Sequence, residues 1–355
     1  MKKFISVFLS LVLICSMSAT SFAAERQPNV ISKTVKNEGY TFLISERTDE
    51  YNRIIRSYDN NNTSLCTAGV PDLDKTKALL VALGMQEKTV DNLNSEALQA
   101  FAEGKEIFIV NSYAMSDANN NVTYLSESIA VEAAKKLKAQ QDKIKLSYAL
   151  EGIPIAASSD YYSKYFQNSY IRVDYAVTYK GNGQYFYSVD SKWLTMPFFR
   201  GWDSLGACAM NGTVTIGSQS GYYYYDITYI NGGIPSYASA FEWIDSSSEY
   251  GNAVNGNWYG SAAKFNLPND VISSSGSIIN NNFGAHFQYF GHVSSPGQTQ
   301  WFNTVGSHTH SVVTINTSPN ITIRTGASNL AASVGISPNW TSDIYGVEFE
   351  IKYTP

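Results

Sequence analysis

The chain has 355 residues, a formal net charge of −5 at pH 7 and a charged content of 15%. Its sequence isoelectric point near 5.5 and the lack of a basic stripe argue against nucleic acid as a partner. The charged fraction falls from 25% in residues 24–150 (32 of 127) to 10% in residues 151–355 (21 of 205), and all six tryptophans lie in the second part. This change predicts two domains with different roles.

The first 23 residues have the form of a secretory signal peptide. Lys2 and Lys3 precede an apolar run over 4–15, and Ser21-Phe22-Ala23 has the small-x-small pattern of a cleavage site. The run is shorter than the about 20 residues that span a bilayer, and no later segment is long and apolar enough. We therefore expect signal peptide 1–23 and a secreted, extracellular bacterial protein without a stable membrane anchor.

Residues 24–145 predict a small, charged α+β domain. Strand-like runs at 40–46 and 51–58 precede three short helical segments, a strand at 105–114 and a helix over 126–145. No pattern with a known chemical mechanism occurs there, so we expect an accessory domain or a pro-domain. Residues 146–168 mix Gly, Pro, Ser and Tyr, which predicts a linker.

Residues 169–355 predict an all-β domain, an antiparallel β-sandwich of jelly-roll type. Apolar and polar residues alternate over 170–179, and Gly181-Asn182-Gly183 provides a turn into a returning strand at 185–189. About ten such runs occur in this part without a helix-length pattern between them. The predicted fold class is thus a small N-terminal α+β domain followed by a β-sandwich.

The histidines are clustered, since all four fall between positions 286 and 310. His308 and His310 share one face of a strand, as two metal ligands often do, and a turn at 294–297 can bring His292 towards them. A cupin-like metal site needs a glutamate soon after the second histidine, and residues 311–315 contain none. Hydrogen-bonded strand histidines are the alternative, and we expect no metal and no other cofactor.

Glu242 is the best single candidate for a catalytic acid. Phe241 and Trp243 flank it, and apolar neighbours favour the protonated form that a glycosidase acid needs. Such an enzyme also requires a second carboxylate about 5–10 Å away, and the sequence offers no evident partner. An enzyme is therefore the less favoured class.

The aromatic residues of the second part predict a binding surface. Tyr222 and Tyr224 alternate with a more apolar set of residues, so we expect both to face solvent. Trp258, Tyr259 and Trp301 lie beside Asn and Gly, and exposed rings with amide and hydroxyl neighbours stack on sugar faces. Packing across strands is the alternative role for each of these rings.

Two cysteines remain after the leader, Cys66 in the first part and Cys208 in the second. In an oxidising compartment they are able to pair, and such a bridge stabilises by roughly 3–5 kcal/mol. The alternative is two free thiols, with Cys208 as a small core residue between alanines.

Three function classes remain open. The first is a secreted, non-enzymatic binding or surface-interaction protein whose β domain recognises carbohydrate or another extracellular ligand. The second is a membrane-active, pore-forming protein, because Ser/Thr-rich alternation over 307–325 resembles a transmembrane hairpin with about 9–11 residues per strand. The third is a glycoside hydrolase that uses Glu242. The sequence predicts no oligomeric state.

Overall fold

The computed structural model describes residues 30–60, 65–67, 70–117, 121–151, 168–197, 200–244, 250–255, 258–273, 275–293, 300–311 and 342–353. The predicted signal peptide 1–23 lies outside these ranges. Within them, no helix is long and apolar enough to cross a membrane.

Antiparallel strands make up most of the described chain. In chain order they are β1 (Ile31–Asn37), β2 (Tyr40–Thr48), β3 (Ile54–Asp59), β4 (Cys66–Thr67), β5 (Val70–Pro71), β6 (Glu106–Ser116), β7 (Val122–Leu125), β8 (Ser169–Gly181), β9 (Gln184–Trp193), β10 (Trp202–Met210), β11 (Gly212–Val214), β12 (Ser220–Asn231), β13 (Ile234–Trp243), β14 (Tyr250–Asn255), β15 (Trp258–Asn266), β16 (Val271–Ser273), β17 (Gly276–Val293), β18 (Gln300–Ser311) and β19 (Ser342–Tyr353). The helices are α1 (Leu73–Ala82), α2 (Glu87–Asn92), α3 (Ser95–Ala102) and α4 (Glu127–Glu151).

The helices begin where the sequence supplies caps. The side chain of Asp72 accepts from the Lys75 backbone N–H at 3.0 Å, and that of Asn94 accepts from Ala97 at 2.8 Å. Gly84, with φ of +94°, lies just beyond α1. Helix α4 runs to Glu151 instead of ending at 145, so the first six residues of the predicted linker are helical; the rest of it up to 167 lies outside the described residues.

The strands form two main sheets. The large sheet has twelve strands, with β1-β2-β3-β6-β8-β9-β17-β12-β13 as its main order and β7, β11 and β16 added at its sides. The small sheet has the order β14-β15-β10-β18-β19. The antiparallel β-sandwich predicted from the alternation is thereby confirmed.

The β8–β9 hairpin forms around the predicted turn at 181–183. Tyr179 pairs with Tyr185 and Val177 with Tyr187, and the turn residues Gly181, Asn182 and Gly183 all have positive φ. The apolar face of this hairpin packs against the small sheet, where residues such as Leu205 and Phe265 complete the core.

The opposite face of the large sheet is covered by helices. Leu79, Phe101 and other residues of α1–α3 pack with Phe42 of β2 and with Phe186 of β9 in a second core. Strand β6 pairs with β8 over eleven residues, so the large sheet contains strands from both predicted domains. The division into 24–145 and 169–355 therefore stays a prediction about sequence character and processing.

Candidate ligand-binding surface

Strand β13 is an edge of the large sheet, and nine of its ten residues are exposed. Alternation places Tyr237, Phe241 and Trp243 on one face of it, with 78%, 39% and 48% of their surface exposed. We call these three residues the edge aromatic surface. Ser239 lies between them and donates to Asp226 at 2.8 Å. Exposed rings beside hydroxyl and carboxylate groups form a surface suited to a ligand with both apolar and polar faces.

Tyr222 supports this surface from the neighbouring strand. Its ring stacks on Phe241 at 4.8 Å and meets Trp243 edge-on at 5.6 Å. The phenol donates to the backbone carbonyl of Thr89 in α2 at 3.2 Å, and only 1% of the residue is exposed. The prediction that Tyr222 faces solvent is wrong, because α2 covers this face of the sheet.

Tyr224 is buried for the same reason, with 3% of its surface exposed. The ammonium group of Lys88 in α2 lies 3.9 Å from the centre of its ring, a cation–π contact. Sequence alternation separated the two faces of β12 correctly, but it gave no sign that helices cover the more polar one.

The other predicted aromatic contacts lie in the small sheet. Tyr259 of β15 is half-buried and pairs with Ala209 of β10. Trp258 and Trp301 belong to β15 and β18, and their side chains lie outside the part of the chain that the structure describes. Their role as ligand contacts stays a prediction.

Glu242 points away from the edge aromatic surface. Its carboxylate, which is exposed, accepts hydrogen bonds from the phenols of Tyr223 and, at 3.2 Å, of Tyr225. The enclosed aromatic setting expected for a catalytic acid is therefore wrong for this residue, because the hydroxyls of the tyrosines, not an apolar pocket, surround the carboxylate.

His308 and His310 are buried between the sheets and share one carboxylate. Nδ1 of His310 lies 2.6 Å and Nε2 of His308 2.9 Å from Asp203, and the indole N–H of Trp193 donates to it at 3.1 Å. Burial raises the pKa of Asp203, but the two imidazoles and their hydrogen bonds bring it down to about 2. The two imidazoles and the indole thus surround a buried carboxylate. Among the described residues, no group of three or more His, Cys, Asp or Glu side chains is arranged so that it could hold a metal ion.

His292 lies apart from that pair, on β17 of the large sheet. Its Nε2 is 3.1 Å from the carbonyl oxygen of Asn182 in the β8–β9 turn. The turn over 294–297 that was expected to bring it towards His308 lies outside the described residues. The three histidines considered as metal ligands thus lie on different sheets: His292 is on the large sheet, and His308 and His310 are on the small one.

A buried polar row crosses the helix-covered face of the large sheet. Direct cross-strand neighbours form the row Asn111, Asp174, Asp190, His286 and Tyr222. Asp190 lies 2.8 Å from Nδ1 of His286, and Asp174 accepts from Asn111 at 2.7 Å. Burial raises the pKa of Asp174 despite its contact with Arg172. The polar positions of 172–178 and 184–192 were the sequence signal for this row.

A groove opens on the other face of β1, β2, β3 and β6, with a cavity volume of about 360 Å³. Asp59 and Glu106 are cross-strand neighbours at its wall, and Ser45, Ser57 and Phe108 also line it. Burial, and then the charge of Asp59, raise the pKa of Glu106. Sequence reasoning missed this groove because it placed every site after residue 150.

Cys66 and Cys208 both remain thiols and form no disulfide. Cys66 lies in β4, where its sulfur contacts the carbonyl oxygen of Ala102 at 3.8 Å, and Cys208 is fully buried in β10 of the small sheet. The predicted Cys66–Cys208 bridge is therefore not formed in this structure. The hairpin proposed for pore formation over 307–325 lies largely outside the described residues, since β18 ends at Ser311.

No protein-family model matches the chain, and no curated protein matches it. Among solved structures, the collagen-binding subdomain of the Enterococcus faecalis surface protein ACE is 8% identical, with a TM-score of 0.20, and covers 49% of this chain and 90% of its own. AvmM, which catalyses macrocyclization in alchivemycin A biosynthesis, is 8% identical with a TM-score of 0.23, over 48% of this chain and 82% of its own. The group B streptococcus pilus 2b backbone protein is 11% identical with a TM-score of 0.19, over 48% and 79%. At these TM-scores the similarities carry no argument about function.

Proposed function

We propose that this protein is a secreted, non-enzymatic binding protein that recognises an extracellular carbohydrate through the edge aromatic surface. The observation that carries the proposal is the exposure of Tyr237, Phe241 and Trp243 on one face of an edge strand. Large aromatic side chains that are grouped and exposed in this way are uncommon on soluble proteins without a binding role.

The packing behind the surface supports the proposal. Tyr222 stacks beneath Phe241 and against Trp243, and its own hydroxyl is fixed by Thr89. Rings held in place lose little side-chain entropy when a ligand arrives. The nearby Ser239 hydroxyl, whose proton is donated to Asp226, and the Asp226 carboxylate offer acceptors for the hydroxyl groups of a sugar.

The test is a glycan array with the mature chain and two variants. We expect the intact protein to bind a subset of the glycans, and Trp243→Ala to weaken binding by about 1–2 kcal/mol, roughly 5–30-fold, because one stacking face is lost. Isothermal titration with the best glycan measures the change.

Ile216→Ala is the matched control, because Ile216 is also an apolar side chain, 88% exposed, that lies outside β12 and β13. It should leave the affinity unchanged. If the folded protein binds no glycan, or if the two variants lose affinity equally, the carbohydrate proposal is wrong.

A further inference from the structure

A second row of side chains crosses the helix-covered face. On each strand it lies two residues away from the buried polar row. Arg172 of β8 and Lys192 of β9 are direct cross-strand neighbours, and Lys192 in turn faces Gly284 of β17. Like charges on facing residues repel each other and destabilise a sheet. The arrangement therefore needs compensation by anionic groups.

Two helices contribute further cations to the same place. Lys88 extends from α2 over the ring of Tyr224, and Lys138 extends from α4 and donates to Asn282 of β17. Arg172, Lys192, Lys88 and Lys138 thus lie on the part of the sheet between α2 and α4. We call these four residues the cationic strip.

The carboxylates nearby do not balance these charges one for one. Asp174 accepts from Arg172 at 2.8 Å, and Asp190 pairs with His286. Asp226 accepts from Asn282 at 2.6 Å and from Ser239. Among the described residues, neither Lys192 nor Lys138 forms an ion pair with a carboxylate. Burial, and then Arg172, Lys138 and Lys88, lower the pKa of Lys192, and Asp226 opposes them.

A buried hydroxyl in the same row provides an independent observation. Tyr224 pairs with Gly284, the residue opposite Lys192, and the absence of a side chain there makes room for its phenol. The residue is 3% exposed, and its hydroxyl has no hydrogen-bond partner among the described groups. Such a group costs free energy unless it finds an acceptor.

We infer that the cationic strip and the Tyr224 hydroxyl bind a tetrahedral oxyanion, a sulfate or phosphate group. Three oxygens of such a group are able to accept from Lys192, Tyr224 and Lys138 together. The free ion and a group carried on an extracellular polymer share this chemistry. The site does not depend on carbohydrate binding at the edge aromatic surface.

The test titrates the full mature chain with sodium sulfate and sodium phosphate against sodium chloride at constant ionic strength, and then with dextran sulfate against neutral dextran. We expect saturable binding of the oxyanions and of dextran sulfate. Lys192→Met should weaken it at least tenfold, because the cation is removed while its apolar stem is kept. Preference for dextran sulfate over free sulfate assigns the site to a polymer-borne group.

Three variants separate a specific site from general electrostatics. Lys36→Met removes an exposed cation of β1 and should leave binding unchanged. Tyr224→Phe should weaken binding about threefold or more without lowering the unfolding temperature, a combination that a structural role does not give. Trp243→Ala should not alter sulfate binding. Absence of oxyanion binding, or an equal loss in Lys36→Met and Lys192→Met, would overturn the inference.

Discussion

At the scale of single residues, burial decides which polar side chains have a structural role. Asp203 is fully buried, yet it stays ionised because the imidazoles of His310 and His308 and the indole N–H of Trp193 lie 2.6, 2.9 and 3.1 Å from its carboxylate. The sequence indicated a site from the clustering of histidines. It did not reveal Asp203, because that partner lies more than 100 positions earlier and meets them only through the pairing of β10 with β18.

We predict that Asp203→Asn lowers the free energy of unfolding by about 3 kcal/mol at pH 7, because buried imidazoles lose their carboxylate. The pKa of Asp203 is about 2 in the folded chain, below the ordinary value near 3.9. Its stabilising effect is therefore complete above about pH 4 and is lost as the pH falls through 2. Urea unfolding of the variant and of the unchanged protein at pH 7 and at pH 2.5 gives the loss of unfolding free energy at each pH.

The difference in unfolding free energy between Asp203→Asn and the unchanged protein should be smaller at pH 2.5 than at pH 7. Asp59→Asn, an exposed carboxylate in β3, is the control and should have a small effect at both pH values. An equal loss in both variants would contradict this account of Asp203.

At the scale of elements, helix α4 is attached to the β-sheets by a buried ionic group. Lys145 is 2% exposed, and its ammonium lies 3.1 Å from Asp270, which also receives two hydrogen bonds of 2.8 Å from Arg200. In the sequence, Lys143 and Lys145 belong to a basic cluster near the end of this helix, a pattern that by itself predicts a solvated face. That interpretation is wrong for Lys145, because the helix continues for six more residues and this turn packs against β16 and β17.

We predict that Asp270→Asn lowers the free energy of unfolding by about 3–5 kcal/mol, since it leaves two buried cations uncompensated. Lys145→Met should cost less than about 1 kcal/mol, because Arg200 still pairs with Asp270. Chemical denaturation of the two single variants and of the double variant gives these free energies. The double variant should regain part of the stability that Asp270→Asn loses.

The pH dependence of Lys145 provides a separate check. Burial, and then Arg200, lower its pKa to about 8, while Asp270 opposes them. The cost of burying its charge is present below pH 8 and is relieved as the pH rises towards the ordinary value near 10.4. The unchanged protein should gain stability relative to Lys145→Met between pH 8 and pH 10. If the difference in unfolding free energy between the unchanged protein and Lys145→Met stays constant from pH 8 to pH 10, Lys145 is not buried as an ammonium.

At the scale of the whole molecule, the chain folds around one large sheet. The strand runs, the β8–β9 hairpin and the sandwich class followed from alternation, because each side chain's face is fixed by its position in the strand. The pairing of β6 with β8 and the burial of Tyr222 and Tyr224 beneath α2 did not follow, because local alternation does not reveal which distant elements cover a face. Tyr237, Phe241 and Trp243 share one face of a run that alternation already identified, but their exposure depends on β13 being an edge.

We predict that cleavage between 152 and 167 leaves the two parts associated. The eleven-residue β6–β8 ladder and the core under α1–α3 hold them together. A specific protease site placed after residue 160 should give two fragments that co-elute in native buffer and separate in denaturant. Separation in native buffer would instead favour a pro-domain that is released after cleavage.

The central claim, that the edge aromatic surface binds an extracellular carbohydrate, is tested most directly by hydrogen–deuterium exchange with and without the best glycan from the array. We predict slower exchange over residues 236–243 of β13 when the glycan is bound, and no change along β1–β3 around the Asp59–Glu106 groove. Protection confined to that groove, with β13 unchanged, would contradict the claim.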